Sequence, residues 1–378
     1  MTILGATGSI GEQTLDLIGN DDGWKIDAVT AHTSAEPLAR IARKYDAELA
    51  VIGDEDHLPA LRDALAGTGI EVAGGPAALR EAAARPVDMT VAAIVGCAGL
   101  APVMEAIRQG GTIALANKEA LVSAGAVMTA AVERHGATLL PLDSEHNAIF
   151  QCLAGNSVDQ VRRIILTASG GPLREIEDLS LVTPEQAVAH PNWDMGAKIS
   201  VDSATMFNKG LELIEAHHLF PVGLDRIEIV VHPQSVIHSM VEYSDRSTLA
   251  QLGPSDMRVP IASCLAWPDR MATPCEPLDL IELGELTFFA PDETRFPATR
   301  LARSAIEEGG SAPATLNAAN EIAVAAFLQR QITFTQIAVT VETVLEKANG
   351  APRPDTLEDV LDVDQAARAR ARELLESS

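Results

Sequence analysis

From residue 2 to residue 142, short apolar runs alternate with helical patterns, and this leaves few folds open. Strand-like runs stand at Thr2–Leu4, Ile26–Thr30, Leu49–Ile52, Met89–Val95, Thr112–Leu115 and Thr138–Leu142. Helical periodicity fills the gaps, at Pro37–Tyr45, Leu58–Ala66, Leu100–Gln109 and Ala120–His135. Strands separated by single helices run parallel, because each crossover returns the chain to the same edge. The expectation is an α/β doubly wound sheet of the Rossmann-like kind.

The run opens on TILGATGSIGEQTLDLI, which reads as a strand, a glycine-rich turn and a helix. Gly5, Gly8 and Gly11 would let the backbone approach a pyrophosphate seated on the helix N-terminus. Glycines also make ordinary tight turns, so the motif alone leaves a structural reading open. The second strand leads into Ala31-His32-Thr33-Ser34, a turn without an acid. An acid there would take the ribose 2′-hydroxyl of NAD. The donors His32, Thr33 and Ser34 favour the 2′-phosphate of NADP instead, or else His32 is a surface residue.

Past residue 144 the rhythm changes. TASGGP and HPNW punctuate longer loops, and RIEIVVHPQSVIHSMVEYS with STLAQLG alternates like an antiparallel or mixed sheet. A proline-rich stretch follows. Four helical patterns then close the chain: Ala298–Glu308, Thr315–Gln329, Phe334–Lys347 and Thr356–Leu375. Leu316, Ile322, Val324 and Phe327 mark a core stripe. The expected division is a nucleotide-binding domain over 1–143, a central α+β catalytic domain over 144–270, a linker over 271–296 and an all-helical domain over 297–378. The 378 residues are enough for such a set.

Two polar clusters stand out. PLDSEHNAIFQ sets Asp143 and Glu145 two apart at the end of a strand, where an extended chain would turn both carboxylates to one side. Hard oxygen ligands on one face suit Mg²⁺ or Mn²⁺, although a D-x-E pair is common on solvated loops. KISVDSATMFNKGLE gathers Ser203, Asn208, Lys209 and Glu212 at a helix start. Alone, it reads more readily as an exposed helix N-terminus with incidental polar groups.

A formal charge of −25 argues against a duplex or an anionic membrane as partner. Cys97, Cys152, Cys264 and Cys275 form no C-x-x-C and are expected to be buried thiols in a reducing compartment. With no leader pattern and no apolar run of membrane length, a cytoplasmic location is expected. His217 and His218 are expected to be solvated. His232 and His238 are expected to be core groups.

Taken in order, GATGSIG, LANKEALV, LDSEHNAIFQ, TASGGP, HPNWDMG, KISVDSATMFNKGLE and HPQSVIHSMV resemble the 1-deoxy-D-xylulose-5-phosphate reductoisomerase family, from residue 2 to about residue 345. The resemblance implies NADPH- and divalent-metal-dependent isomerisation and reduction of 1-deoxy-D-xylulose 5-phosphate to 2-C-methyl-D-erythritol 4-phosphate. That step belongs to non-mevalonate isoprenoid synthesis. By that likeness Asp143, Glu145 and Glu212 hold the metal, with Mg²⁺ or Mn²⁺ expected. Lys118 reaches the substrate hydroxyl and Ser144 its polar groups. Ser169, Ser203, Asn208 and Lys209 bind substrate and its phosphate. His190, Trp193 and Met195 belong to a mobile lid. Thr7, Gly8, Ser9 and Ile10 form the NADPH loop, and Asn117 and Glu119 flank the nicotinamide. The family is homodimeric through its central domain. Two departures stand: Ala31-His32-Thr33 replaces the family's Gly-basic-Asn, and the residues that usually precede the first strand are missing. Two other readings remain: a reductase of another sugar phosphate, and an inactive NADP-binding regulator.

Overall fold

The structure, a computed structural model, describes residues 1–19, 23–191, 193 and 195–376. It divides into two compact units. The first comprises Met1–Ala120, Met128–Asn147 and Met257–Cys275; the second comprises Leu121–Val127, Ala148–Asp256 and Glu276–Ser378.

Seven parallel strands form the sheet of the first unit: β1 (Thr2–Leu4), β2 (Ala28–Ala31), β3 (Leu49–Ile52), β4 (Glu71–Gly74), β5 (Met89–Ala92), β6 (Thr112–Leu115) and β7 (Thr138–Pro141). Their order is β4-β3-β2-β1-β5-β6-β7, so the winding reverses between β1 and β5. Ligands of open α/β sheets bind beyond the strand ends at such a reversal. The connecting helices are α1 (Ser9–Ile18), α2 (Ala35–Lys44), α3 (Leu58–Ala64), α4 (Gly75–Ala83), α5 (Leu100–Arg108) and α6 (Lys118–His135). β1, β2 and β3 are buried throughout, which is why they read as unbroken apolar runs. β4 and α4 were not legible. β4 is a half-exposed edge strand, Glu-Val-Ala-Gly, with too few apolar residues to stand out.

After β7 comes α7 (Ser144–Leu153). This corrects the extended reading of Asp143 and Glu145. The Asn147 amide donates to the Asp143 carbonyl at 2.9 Å, so Asp143 starts the helix and Glu145 lies in its first turn.

The second unit carries a mixed sheet in the order β11-β10-β8-β9, built from β8 (Val161–Ala168), β9 (Ile227–Val231), β10 (Ile237–Tyr243) and β11 (Thr248–Leu252). β8 pairs parallel to β9 and antiparallel to β10. Short α8 (Pro184–Val188) precedes α9 (Ala197–Thr205) and α10 (Phe207–Leu219). The segment expected to start one helix therefore holds two, parted at Met206, whose φ of 66° breaks the hydrogen-bond ladder. The chain then supplies α11 (Arg258–Ala266) to the first unit, where Arg258 reaches Asp16 of α1 at 3.2 Å. Short α12 (Leu280–Leu283) and α13 (Ala298–Glu308), α14 (Ala312–Leu328), α15 (Phe334–Ala348) and α16 (Leu357–Glu376) complete the second unit.

The second unit's core joins β8 and β10 to α10, α13 and α14. Phe207, Leu211, Leu316, Val324 and Phe327 are buried in it, with Ile322 packed at its margin. Cys97, Cys152 and Cys264 are buried, but Cys275 is only half-buried. Among the described residues no helix is long and apolar enough to cross a membrane.

Candidate functional site

At the end of β1, Gly5 has φ +88°, and a Cβ there would stand 2.7 Å from the Ala93 carbonyl oxygen. The turn is fixed further by the Ala6 amide on the Thr30 carbonyl at 2.7 Å and the Gly5 amide on Thr30 Oγ1 at 3.0 Å. A Cβ on Gly11 would meet Ala6 Cα at 2.6 Å. Gly8 differs: its φ is −87° and a Cβ would find only the Gly5 oxygen, at 3.5 Å. The fold thus requires glycine at 5 and 11 but not at 8, which a ligand's close approach would explain. Gly8 and Ser9 are exposed, with Thr7 and Ile10 half-buried beside them. Beside that turn, His32, Thr33 and Ser34 are exposed at the end of the neighbouring strand β2. Nδ1 of His32 would stand 3.1 Å from a Cβ on Gly53, so the ring lies along the turn after β3.

Asn117 caps α6. Its Oδ1 accepts the Ala120 amide at 2.8 Å, and its Nδ2 donates to the carbonyls of Gly96, at 2.9 Å, and Ile94. The amide is thereby committed to backbone and fixes where the buried Lys118 and Glu119 begin the helix. Lys118 Nζ donates to Asp143 Oδ2 at 2.9 Å, and His146 Nδ1 lies 3.2 Å from the same oxygen. Burial pushes the Asp143 carboxyl up, but the charge of Lys118 and the neighbouring imidazole outweigh it and hold it well below the usual carboxylate range. Ser144 Oγ donates to Glu145 Oε2 at 2.5 Å. His146, fully buried, was not singled out in the sequence; a histidine beside D-S-E was the available signal.

In the second unit, Ser169, His190 and Trp193 form a chain. The Trp193 amide donates to His190 Nδ1 at 3.0 Å, and Nε2 of the same ring lies 2.9 Å from Ser169 Oγ. An accepting Nδ1 on a neutral ring puts the proton on Nε2, so the ring donates to Ser169. Burial favours that neutral form by lowering the His190 pKa. Ser169 Oγ also accepts the Gly171 amide at 3.1 Å, which leaves its own proton for a ligand oxygen. The indole of Trp193 stands edge-on to His238 at 6.0 Å. Trp193 is half-buried and lies in no helix or strand, as does Met195; Asn192 and Asp194 of the expected lid lie outside the described residues.

The GG turn after Ser169 presses on the end of α9. A Cβ on Gly171 would meet the Ser203 carbonyl oxygen at 2.6 Å, so the buried Ser203 and Ser169 share one corner of the unit. On α10, Asn208 Nδ2 donates to Glu212 Oε1 at 2.5 Å and Lys209 Nζ donates to Glu212 Oε2. Glu212 is fully buried and Lys209 nearly so. The helix spacing that put Asn208 and Glu212 on one face is therefore observed. Sequence reasoning passed over Asp202, which pairs with Lys198 at 2.7 Å and accepts from Asn320 at 2.8 Å. An acid in the middle of S-V-D-S-A-T was its one signal. The expected solvated pair His217 and His218 is instead half-buried.

Profiles described as 1-deoxy-D-xylulose 5-phosphate reductoisomerase, its C-terminal domain, and DXP reductoisomerase C-terminal domain match residues 1–125, 139–220 and 252–370. The 1-deoxy-D-xylulose 5-phosphate reductoisomerase of Zymomonas mobilis is 57% identical over 380 residues, covering 100% of this chain and 98% of the relative. That of Rhodospirillum centenum is 54% identical, covering 99% and 94%. Among solved structures, the Zymomonas mobilis enzyme in complex with NADPH superposes with a TM-score of 0.95 at 55% identity, over 100% of this chain and 99% of that one. A DOX-P reductoisomerase in complex with NADPH, fosmidomycin and magnesium superposes with a TM-score of 0.94 at 41% identity, over 99% and 98%.

Proposed function

Because the chain belongs to the 1-deoxy-D-xylulose 5-phosphate reductoisomerase family, we infer its activity and assign its residues from that premise. The chain is an NADPH- and divalent-metal-dependent oxidoreductase that isomerises and reduces 1-deoxy-D-xylulose 5-phosphate to 2-C-methyl-D-erythritol 4-phosphate. The observation that carries the assignment is the fully buried Glu212 carboxylate, gripped by Asn208 and Lys209 within one helical turn. A buried carboxylate is costly unless paired, and its partners here, an amide and an ammonium, are themselves groups suited to a phosphate.

We assign metal binding to Asp143, Glu145 and Glu212. Their hard oxygens suit magnesium or manganese; Lys118 on Asp143 and Lys209 on Glu212 now supply the positive charge that a bound cation would take over. When bound, the cation polarises substrate oxygens and NADPH provides the hydride. The chain's own residues do the rest. Lys118 holds a proton beside Asp143 and donates to the substrate hydroxyl. Ser144 contacts the substrate's polar groups. Ser169, Ser203, Asn208 and Lys209 bind substrate and orient its phosphate. His190, Trp193 and Met195 close over it and exclude water. Thr7, Gly8, Ser9 and Ile10 receive the cofactor's phosphates, His32 and Thr33 its 2′-phosphate, and Asn117 and Glu119 frame the nicotinamide.

By sequence the work divides as 1–143 for NADPH and 144–270 for catalysis, with a 271–296 linker and a 297–378 helical segment; Met257–Cys275 nonetheless packs in the first unit, and α13 and α14 share the second unit's core. The enzyme acts in the cytoplasm on isoprenoid precursors, as a homodimer joined through the central sheet. Edge strand β11, with Leu249 44% and Leu252 36% exposed, supports that interface. The test is NADPH oxidation with 1-deoxy-D-xylulose 5-phosphate, with and without magnesium. Turnover that is absent with this substrate, or unchanged in excess chelator, overturns the reading.

A further inference from the structure

The second unit holds a cavity of about 240 Å³ that none of the assigned functions uses. Val122, Val127 and Ile306 line its apolar side, and His217, His218 and Arg353 its polar side. The chain carries 53 acidic side chains against 28 basic ones, yet no carboxylate lines this cavity among the described residues. Two imidazoles and a guanidinium without a facing acid make this cavity locally free of negative charge in an acidic molecule.

The geometry is built rather than incidental. α6 breaks its helical geometry at Ala124, with φ −122° and ψ 21°. The next residue is Gly125, where any Cβ would collide with the His218 ring. The break and the glycine together admit that ring. His217 stands beside it, ring centroids 5.3 Å apart and planes at 62°. Burial, then the charges of His217 and Arg353, push the His218 pKa down to about 4. A positive charge on the His218 ring is therefore unwelcome here, and an anion would relieve what the surroundings impose. Gly309, Gly310 and Pro313 also line the cavity, where α14 begins; Ser311 gives that helix no side-chain cap, which adds to the positive potential.

We propose that this cavity binds a small organic phosphate, its anionic head held by His217, His218 and Arg353 and its short hydrocarbon body laid against Val122, Val127 and Ile306. The space is many times the roughly 10–15 Å³ that admits one water, room for a phosphate with a short carbon chain. The site rests on none of the catalytic assignments.

The test uses the full chain saturated with NADPH, magnesium and fosmidomycin, so that substrate-site phosphate binding is blocked. The probes are butyl phosphate, inorganic phosphate and butanol, read by the ring proton resonances of His217 and His218, assigned from H217Q and H218Q. Butyl phosphate should shift both rings saturably and raise the His218 pKa. Butanol should leave them still, and inorganic phosphate should bind more weakly. Arg353 is exposed, so R353A keeps the fold; it should weaken butyl phosphate by roughly tenfold. Four results would overturn the proposal: no ring shift with butyl phosphate on the order of tens of millimolar, unchanged affinity in R353A, butanol matching butyl phosphate, or inorganic phosphate matching it. Loss of binding in R353A with full turnover separates this site from the catalytic one.

Discussion

Lys118 Nζ and Asp143 Oδ2 stand 2.9 Å apart, both side chains mostly buried, so an ammonium at the head of α6 fixes the carboxylate that begins α7. Lys118→Met should lower kcat by about 10²-fold or more, the scale of losing a positioned donor. It should also change acid stability. The folded pKa of Asp143 is held below its unfolded value of 3.8, so the pair's contribution is complete above that pH and is lost as pH falls below it. The variant should therefore lack the wild type's loss in that window. Parallel acid unfolding curves of the two proteins, followed by circular dichroism, check this.

Glu212→Gln removes a charge while keeping the amide-sized side chain in its buried place. The loss expected is on the order of 10²–10³ in kcat, with NADPH affinity unchanged, since the cofactor loop belongs to other residues. A titration of NADPH fluorescence alongside turnover tests both halves. An active Glu212→Gln enzyme would remove this carboxylate from the metal set.

The glycines of the first turn should separate by role. Gly5→Ala forces a side chain onto the Ala93 carbonyl at positive φ and should destabilise the first unit by about 2 kcal/mol or more. Gly8→Ala has room at φ −87° and should leave the melting temperature within a few degrees. Its NADPH dissociation constant should still rise by about tenfold, because a methyl would occupy the pyrophosphate's approach. Equal NADPH affinity in Gly8→Ala would make that glycine a plain turn residue.

The sequence revealed what periodicity and residue chemistry encode locally. Buried strands such as β3 and long amphipathic helices such as α15 announced themselves, and the Asn208–Glu212 pairing followed from helix spacing alone. What escaped was decided by neighbours. β8 reads R-R-I-I-L, an unremarked run until β9 and β10 cover it on both edges. The α7 start at Ser144 depended on a backbone bond to Asp143 rather than on strand alternation. Met206 in the left-handed region gives no local cue, because tertiary packing imposes it. Asp202 looked bland because one of its partners, Asn320, lies far away in sequence. His146 is three residues from Asp143, but what made the contact matter was Lys118, which reaches the same carboxylate oxygen from 25 residues upstream.

His218 should make the protein acid-sensitive well above the carboxylate range. Its folded pKa of about 4 lies below the unfolded 6.5, so folding disfavours the imidazolium. Stability is then full above pH 6.5 and falls as pH drops from 6.5 towards 4, by on the order of 2 kcal/mol. His218→Gln cannot take up that proton and should flatten the slope between those pH values. Urea midpoints measured across the window provide the comparison, and parallel slopes for the two proteins would remove His218 as the cause.

Trp193 offers the most direct view of closure over the substrate. Its amide is held by His190 and its ring meets His238 edge-on at 6.0 Å, yet the side chain is only half-buried and in no regular element. A large aromatic ring left partly in water costs apolar burial that a closed state recovers. His190 ties the same backbone to Ser169 at 2.9 Å, so a ligand oxygen accepting the Ser169 proton engages the lid's own anchor. In a W24F/W267F protein, Trp193 alone reports. Adding fosmidomycin with magnesium should shift its emission to the blue as the ring leaves water, and chelator should reverse most of the shift. His190→Ala should blunt the response while leaving NADPH affinity unchanged, because it cuts the link between Ser169 and the Trp193 amide. An indole whose emission already sits at the buried position, and stays there at saturation, makes Trp193 a fixed wall of the unit.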